Sequence, residues 1–401
     1  MGRARSRFFT LGAAVIAVLG VNDPCGSPLA AQEAADYPVF EVDSSWPQKL
    51  PFNWIMGHVP SVAIDSRDHV FVLSRPNTLP PEDRARSAPP VVELDSAGKF
   101  VNAWGGPGIP GFDWPDSEHG IAIDYKNNVW VGGSAPVAPS LRALNDDMLL
   151  KFTRNGEFLF QIGGRDKSPT SQNPPVIGGN KDTRSFHQPT DVFVWEKTNE
   201  AFVSDGYGNR RVIVLDADTG AFKRMWGAFG KEPSDAKAVK PKIPEAARIP
   251  AMYETGNGPD QFDPPVHAAR VSNDDLVYVS DRGGKRVQVF TLEGKFVTQA
   301  FIDRWCEAPH CGNGQTVAST AFSHDREQRF LYVASRSPAR IWVLDRKTLQ
   351  PLDSFGRLGV APGEFYVLHH MNTDSKGNLY TTEVQDGKRA QKFVFKGLVT
   401  K

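Results

Sequence analysis

The chain has 401 residues, and 46 lysines plus arginines balance 46 aspartates plus glutamates. That balance removes the broad basic footprint expected of a nucleic-acid binder, and no segment beyond the N-terminal one is apolar enough to span a membrane. The length admits one large all-β domain, and 36 glycines with 31 prolines, scattered along the chain, suit many short strands joined by turns.

Residues 1–35 read differently from the rest. Arg3, Arg5 and Arg7 precede an uncharged run from Phe8 to Gly20, followed by small residues around Ala30 and Ala31. A charged start, a short apolar centre and small residues after it make a secretory signal. The run is too short to span a bilayer comfortably as an anchor. The arginines are not a consecutive pair, and Asn22, Asp23 and Pro24 before Cys25 do not resemble a lipoprotein cleavage site. The expectation is export to the periplasm or medium, with residues 36–401 as the mature domain and no membrane association after processing.

From there the chain repeats one phrase: an apolar strand, a polar turn, a second strand, a loop, then two strands around a glycine turn. The first halves are, in order, VPSVAIDSRDHVFVLSR, EHGIAIDYKNNVWVGG, PTDVFVWEKTNEAFVSDGYGN, VHAARVSNDDLVYVSDR, ASTAFSHDREQRFLYVASR and HHMNTDSKGNLYTTEV. Each copy alternates apolar and polar residues with period two, and no stretch holds a helical period. Repetition of a four-stranded unit six times predicts an all-β, six-bladed β-propeller. The sixth copy supplies only three strands, ending in RAQKFVFKG, so YPVFEVD near the mature N-terminus is expected to complete it and close the ring.

Alignment of the copies on their first strand puts Pro60, His119, Thr190, His267, Ala318 and His369 at one position. The histidines fall in the second, fourth and sixth copies, a third of a turn apart, and are expected to converge on the central axis. Three neutral imidazoles without carboxylate or thiolate suit zinc, and three protein ligands leave a position open for water or substrate. His370 adjoins His369, but strand alternation sends it the other way.

The loop after each second strand lies at the same end of the blade as the first strand's start. Those loops carry Arg75, Tyr207, Arg282 and Arg336. Asp205 and Asp281 shape the same turns; Arg336 is expected merely to pair with a turn aspartate, and for Arg75 and Arg282 that reading stays open beside a role in a site. The long insertions, Pro76 to Pro90, Ala135 to Asn145, Asp166 to Asp182, Lys231 to Asp260 and Asp303 to Gln315, gather at that end too. Loop elaboration at one end is how a rigid scaffold carries a site. Cys306 and Cys311, in WCEAPHC, read as a disulfide in an oxidising compartment; with His310 they are a ligand short of a metal site.

FHQPTDVFV, FVSDGYGNRRVIVLD and VYVSDRGGKRVQVF resemble the catalytic core of peptidyl-α-hydroxyglycine α-amidating lyases, six-bladed propellers with NHL-type repeats. The general repeat resemblance covers nearly the whole mature chain, whereas the SDGYGN segment with three placed histidines and two arginines is more specific. The resemblance implies zinc on His119, His267 and His369, a catalytic Tyr207, and active-site roles for Arg75 and Arg282. It also brings a structural calcium held by an aspartate directly after the third histidine. His370 stands there, so calcium is expected to matter less. The family's cysteine after the tyrosine is Gly208, so that disulfide cannot form, and no copper hydroxylase domain is present.

The function implied is a zinc-dependent carbon–nitrogen lyase. It would be a monomer acting on a small or peptide-like substrate and converting a carbinolamide to an amide and an aldehyde. Two readings compete with it. A binding propeller that grips a peptide or partner protein without metal leaves the histidine register unexplained. A zinc-hydroxide hydrolase of an ester or lactone would depend less on Tyr207.

Overall fold

A computed structural model describes residues 36–135, 144–172, 176, 178–241 and 258–400. Residues 1–35, where the expected secretory signal falls, and parts of three insertions lie outside the described residues. Six four-stranded antiparallel sheets follow one another as blades. The first strands, which face the axis, are His58–Ile64, Glu118–Ile123, Pro189–Trp195, Val266–Val271, Val317–Phe322 and Leu368–Thr373 for blades 1 to 6. Each packs against the first strands of its two neighbours, blade 6 against blade 1 included. No helix among the described residues is long and apolar enough to cross a membrane.

The ring closes as the repeat count requires. Blade 6 takes its outer strand from Asp36–Asp43, which pairs antiparallel with the last strand, Ala390–Thr400, matching Val42 to Phe393 and Tyr37 to Val399. Tyr37, Phe40 and Val42 then pack on the cluster between blades 5 and 6 that holds Phe365, Met371 and Phe393.

One hydrophobic cluster fills each gap between neighbouring blades. Phe202, Trp226 and Phe290 join blades 3 and 4, Tyr278 and Trp342 join 4 and 5, and Phe71, Trp114 and Phe152 join 1 and 2. Fully burying one such side chain is worth roughly 1.5–3 kcal/mol, so the blades hold one another through apolar faces. The end opposite the loops is made of tight turns. In DSRDH, DYKNN and DSKGN the leading aspartate accepts two backbone N–H groups, as Asp124 Oδ1 does from Lys126 and Asn128 at 2.9 and 2.8 Å.

A shared irregularity sets the axis. The register of each first strand against its second breaks between His58 and Ser61, Glu118 and Gly120, Pro189 and Asp191, Val266 and Ala268, Val317 and Ser319, and Leu368 and His370. The residues left at these bulges include Pro60, His119, Thr190, His267, Ala318 and His369. A bulge leaves its extra residue unpaired and re-aims both side chain and carbonyl.

Candidate metal centre

His119, His267 and His369 meet on the axis. One ring nitrogen from each lies within 4.8 Å of the others, with ring centroids 4.7 to 5.0 Å apart. All three are buried. Burial pushes each imidazole well below the ordinary histidine range; Arg75 adds to this at His119, Arg282 at His267, and His119 at His369. Uncharged imidazoles are the form that binds metal.

The other three bulges set the tautomer. His119 Nδ1 donates to the Thr190 carbonyl at 2.7 Å, His267 Nδ1 to Ala318 at 2.5 Å, and His369 Nδ1 to Pro60 at 2.7 Å. A carbonyl only accepts, so each Nδ1 carries the proton and each Nε2 keeps a lone pair facing the axis. His267 Nε2 is buried with no hydrogen-bond partner. Three convergent lone pairs, one of them orphaned in the interior, fit a cation with nitrogen preference, and zinc meets that description.

Tyr207 reaches the same point. Its phenol donates to His119 Nε2 at 3.1 Å, and its ring packs edge-on against His119 and His267. The chain can pass there because glycines flank it. A Cβ at Gly206 would fall 1.9 Å from the Val266 carbonyl, and one at Gly208 2.1 Å from the His187 ring. Any side chain at position 208 would therefore require the His187 ring to move.

Arg282 lies over the Tyr207 ring at 5.3 Å, and Arg75 donates through Nε to the Glu118 carbonyl at 2.5 Å. Burial lowers Arg75 from the usual guanidinium value, while Tyr207 and Glu118 pull the other way. Burial pushes the Glu118 carboxyl up to about 7, against a hydrogen bond from Trp114 Nε1. Sequence reading gave Glu118 no role, since a carboxylate beside a strand-start histidine carries no pattern of its own.

Two expectations are corrected. Arg336 pairs with no turn aspartate, because Asp205 is taken by Arg211 and Asp281 by Arg286, each at 2.8 Å, and blade 5 has Ser335 at the equivalent position. Arg336 instead faces the site: its Nε is buried without a partner, and burial, with Arg282 nearby, lowers it to about 10. His370 does not point away from the axis. The bulge at His369 breaks the alternation, and His370 is buried against Arg270 and Asp191. Cys306 and Cys311 form the expected disulfide.

No protein-family profile matches the chain. NHL repeat-containing protein 3 of Homo sapiens is 24% identical over 388 residues, spanning 92% of this chain and 90% of that protein. Peptidyl-glycine alpha-amidating monooxygenase of Mus musculus is 26% identical over 336 residues, 78% of this chain, and its Xenopus laevis A form is 25% identical over 283 residues. The match occupies 27% of the length of the mouse monooxygenase. The fold is thus an NHL-repeat-like six-bladed propeller, distantly related to both groups.

Proposed function

We propose that this propeller is an exported, zinc-dependent carbon–nitrogen lyase that splits a carbinolamide, R–CO–NH–CH(OH)–R′, into an amide and an aldehyde. The observation that carries the reading is the Tyr207 phenol at 3.1 Å from His119 Nε2, beside the three converging histidines. Export is supported by the charged and apolar N-terminal segment and by the Cys306–Cys311 disulfide.

His119, His267 and His369 would hold zinc through Nε2, and the bound ion would supply Lewis acidity that makes a substrate hydroxyl easier to deprotonate. Tyr207 takes the hydroxyl proton. The C–OH carbon then forms C=O as its bond to nitrogen breaks, and the nitrogen takes the proton that Tyr207 had accepted, leaving as the amide. The Arg282 guanidinium lies over the Tyr207 ring, 5.3 Å from its centre. Arg75 and Arg282 orient a carboxylate or carbonyl of the substrate through forked hydrogen bonds.

The test is glyoxylate release from N-benzoyl-α-hydroxyglycine by zinc-loaded wild type, metal-free protein and Tyr207→Phe. Tyr207→Phe is expected to keep zinc and fold while losing roughly a hundredfold in turnover, the scale of a positioned base. Wild type no faster than buffer rules out this substrate. Activity indifferent to Tyr207 moves the assignment to hydrolysis by metal-activated water.

A further inference from the structure

A second polar group crosses the axis beyond the triad, and the proposed reaction does not use it. Arg270 lies three residues past His267 on the first strand of blade 4. One terminal nitrogen donates to Asp191 Oδ2 of blade 3 and the other to His370 Nε2 of blade 6 at 2.8 Å. His370 Nε2 is 3.5 Å from Asp191 Oδ1. Blades 3 and 6 face each other across a ring of six, so this contact lies on the axis. All three residues are buried, and the guanidinium sits 5.7 Å from the Phe193 ring centre. Burial works against the charge on Asp191, but Arg270 holds its carboxyl below the usual range.

Each member shares a strand with a residue that shapes the triad. Arg270 shares a strand with His267, Asp191 follows Thr190, whose carbonyl fixes His119, and His370 follows His369. One guanidinium is therefore tied to the neighbourhood of all three ligands. The structural calcium implied by the resemblance does not fit here. An imidazole is a poor ligand for a hard cation, and a guanidinium already sits against the carboxylate. The one group of His, Cys, Asp and Glu side chains able to hold a metal among the described residues is the triad itself.

We propose that Arg270 is a built-in cation standing in for a structural metal ion, a positioning residue that braces the three zinc ligands from behind. This rests on the metal reading of the triad. A satisfied charge network in a low-dielectric interior holds its members in one geometry, and outer partners of ligating histidines are commonly worth 10–100-fold in metal affinity.

Removing Arg270 alone would strand Asp191 as an unpaired buried charge and threaten folding. The test therefore uses Asp191→Asn with Arg270→Met, and separately Arg270→Lys. Zinc affinity is read by competition with a chromophoric chelator, and ligand geometry by the visible absorption of the cobalt(II)-substituted protein. The double variant is expected to lose roughly tenfold in zinc affinity and to shift the cobalt bands, with Arg270→Lys falling between it and wild type. Should the double variant not fold, Arg270→Lys decides: weaker affinity with shifted bands supports the brace, and unchanged values overturn it. Wild type binding zinc, with an equally tight double variant and the same cobalt spectrum, overturns the brace alone. Wild type that takes up no zinc overturns the metal reading and the brace together.

Discussion

Blades 2, 4 and 6 present imidazoles to the axis, while blades 1, 3 and 5 present backbone carbonyls from the same bulge. The even blades hold side chains that can ligate a metal. The odd blades hold the oxygens that fix how those side chains stand, each even histidine leaning on the next odd blade. Six equivalent positions thus make a three-fold site with its own supports. The supports place no demand on the residue type, since every residue has a carbonyl, so proline, threonine and alanine serve equally.

The largest effect should come from breaking the even half. Wild-type protein is expected to carry about one equivalent of zinc per chain, and His119→Ala, His267→Ala or His369→Ala should each strip most of it. Elemental analysis after gentle purification reads this, and a triple alanine variant at full occupancy would refute the site. The odd half should respond otherwise. Thr190→Val keeps the carbonyl and loses a hydroxyl within reach of the Ser204 and Val266 carbonyls. It should cost about 1 kcal/mol of stability while leaving zinc affinity within a factor of about three.

Next in size is an injury to one even blade as a whole. Deletion of Tyr37 to Val42 removes the outer strand of blade 6 and leaves the strand 390–400 with an unpaired edge. Losing Tyr37, Phe40 and Val42 from the cluster between blades 5 and 6 should cost several kcal/mol, a fall of roughly 10 °C in melting temperature or outright aggregation. An unchanged melting curve would contradict the closure seen between residues 36–43 and 390–400.

Calcium should have the smallest effect. With Arg270 against Asp191 and His370 in place of a carboxylate, adding calcium to metal-depleted protein should leave the melting temperature essentially where it was. A large saturable stabilisation would mean that other oxygens assemble a site.

The repeat made the propeller legible, because a period-two pattern restated six times fixes both strand count and blade order. His119, His267 and His369 were legible because a side chain that recurs in register leaves a mark in the sequence, and Tyr207 followed from its loop. The carbonyls of Pro60, Thr190 and Ala318 leave no such mark. His370 was misplaced because the alternation rule assumes an unbroken strand, and a bulge adds one residue without announcing itself. Arg336 was misjudged for a related reason: the turn aspartates find their arginines at the start of the third strand, a preference visible only once the hairpin is built.

The clasp between strands 36–43 and 390–400 is also expected to form late in folding. Thr400 Oγ1 donates to Asp36 Oδ1 at 2.5 Å, although 364 residues separate them. Joining two points that far apart costs an unstructured chain roughly 5 kcal/mol in closure entropy, so this contact is a poor place to begin. Blades 1 to 5 are each made from consecutive strands and can form without it. Once they stand, the ends already lie side by side and most of that entropy has been surrendered. A chain emerging from the ribosome, amino end first, therefore carries Asp36–Asp43 as a waiting edge throughout synthesis. The ring can shut only after residues 390–400 are free, and until then the exposed strand is open to capture by another chain.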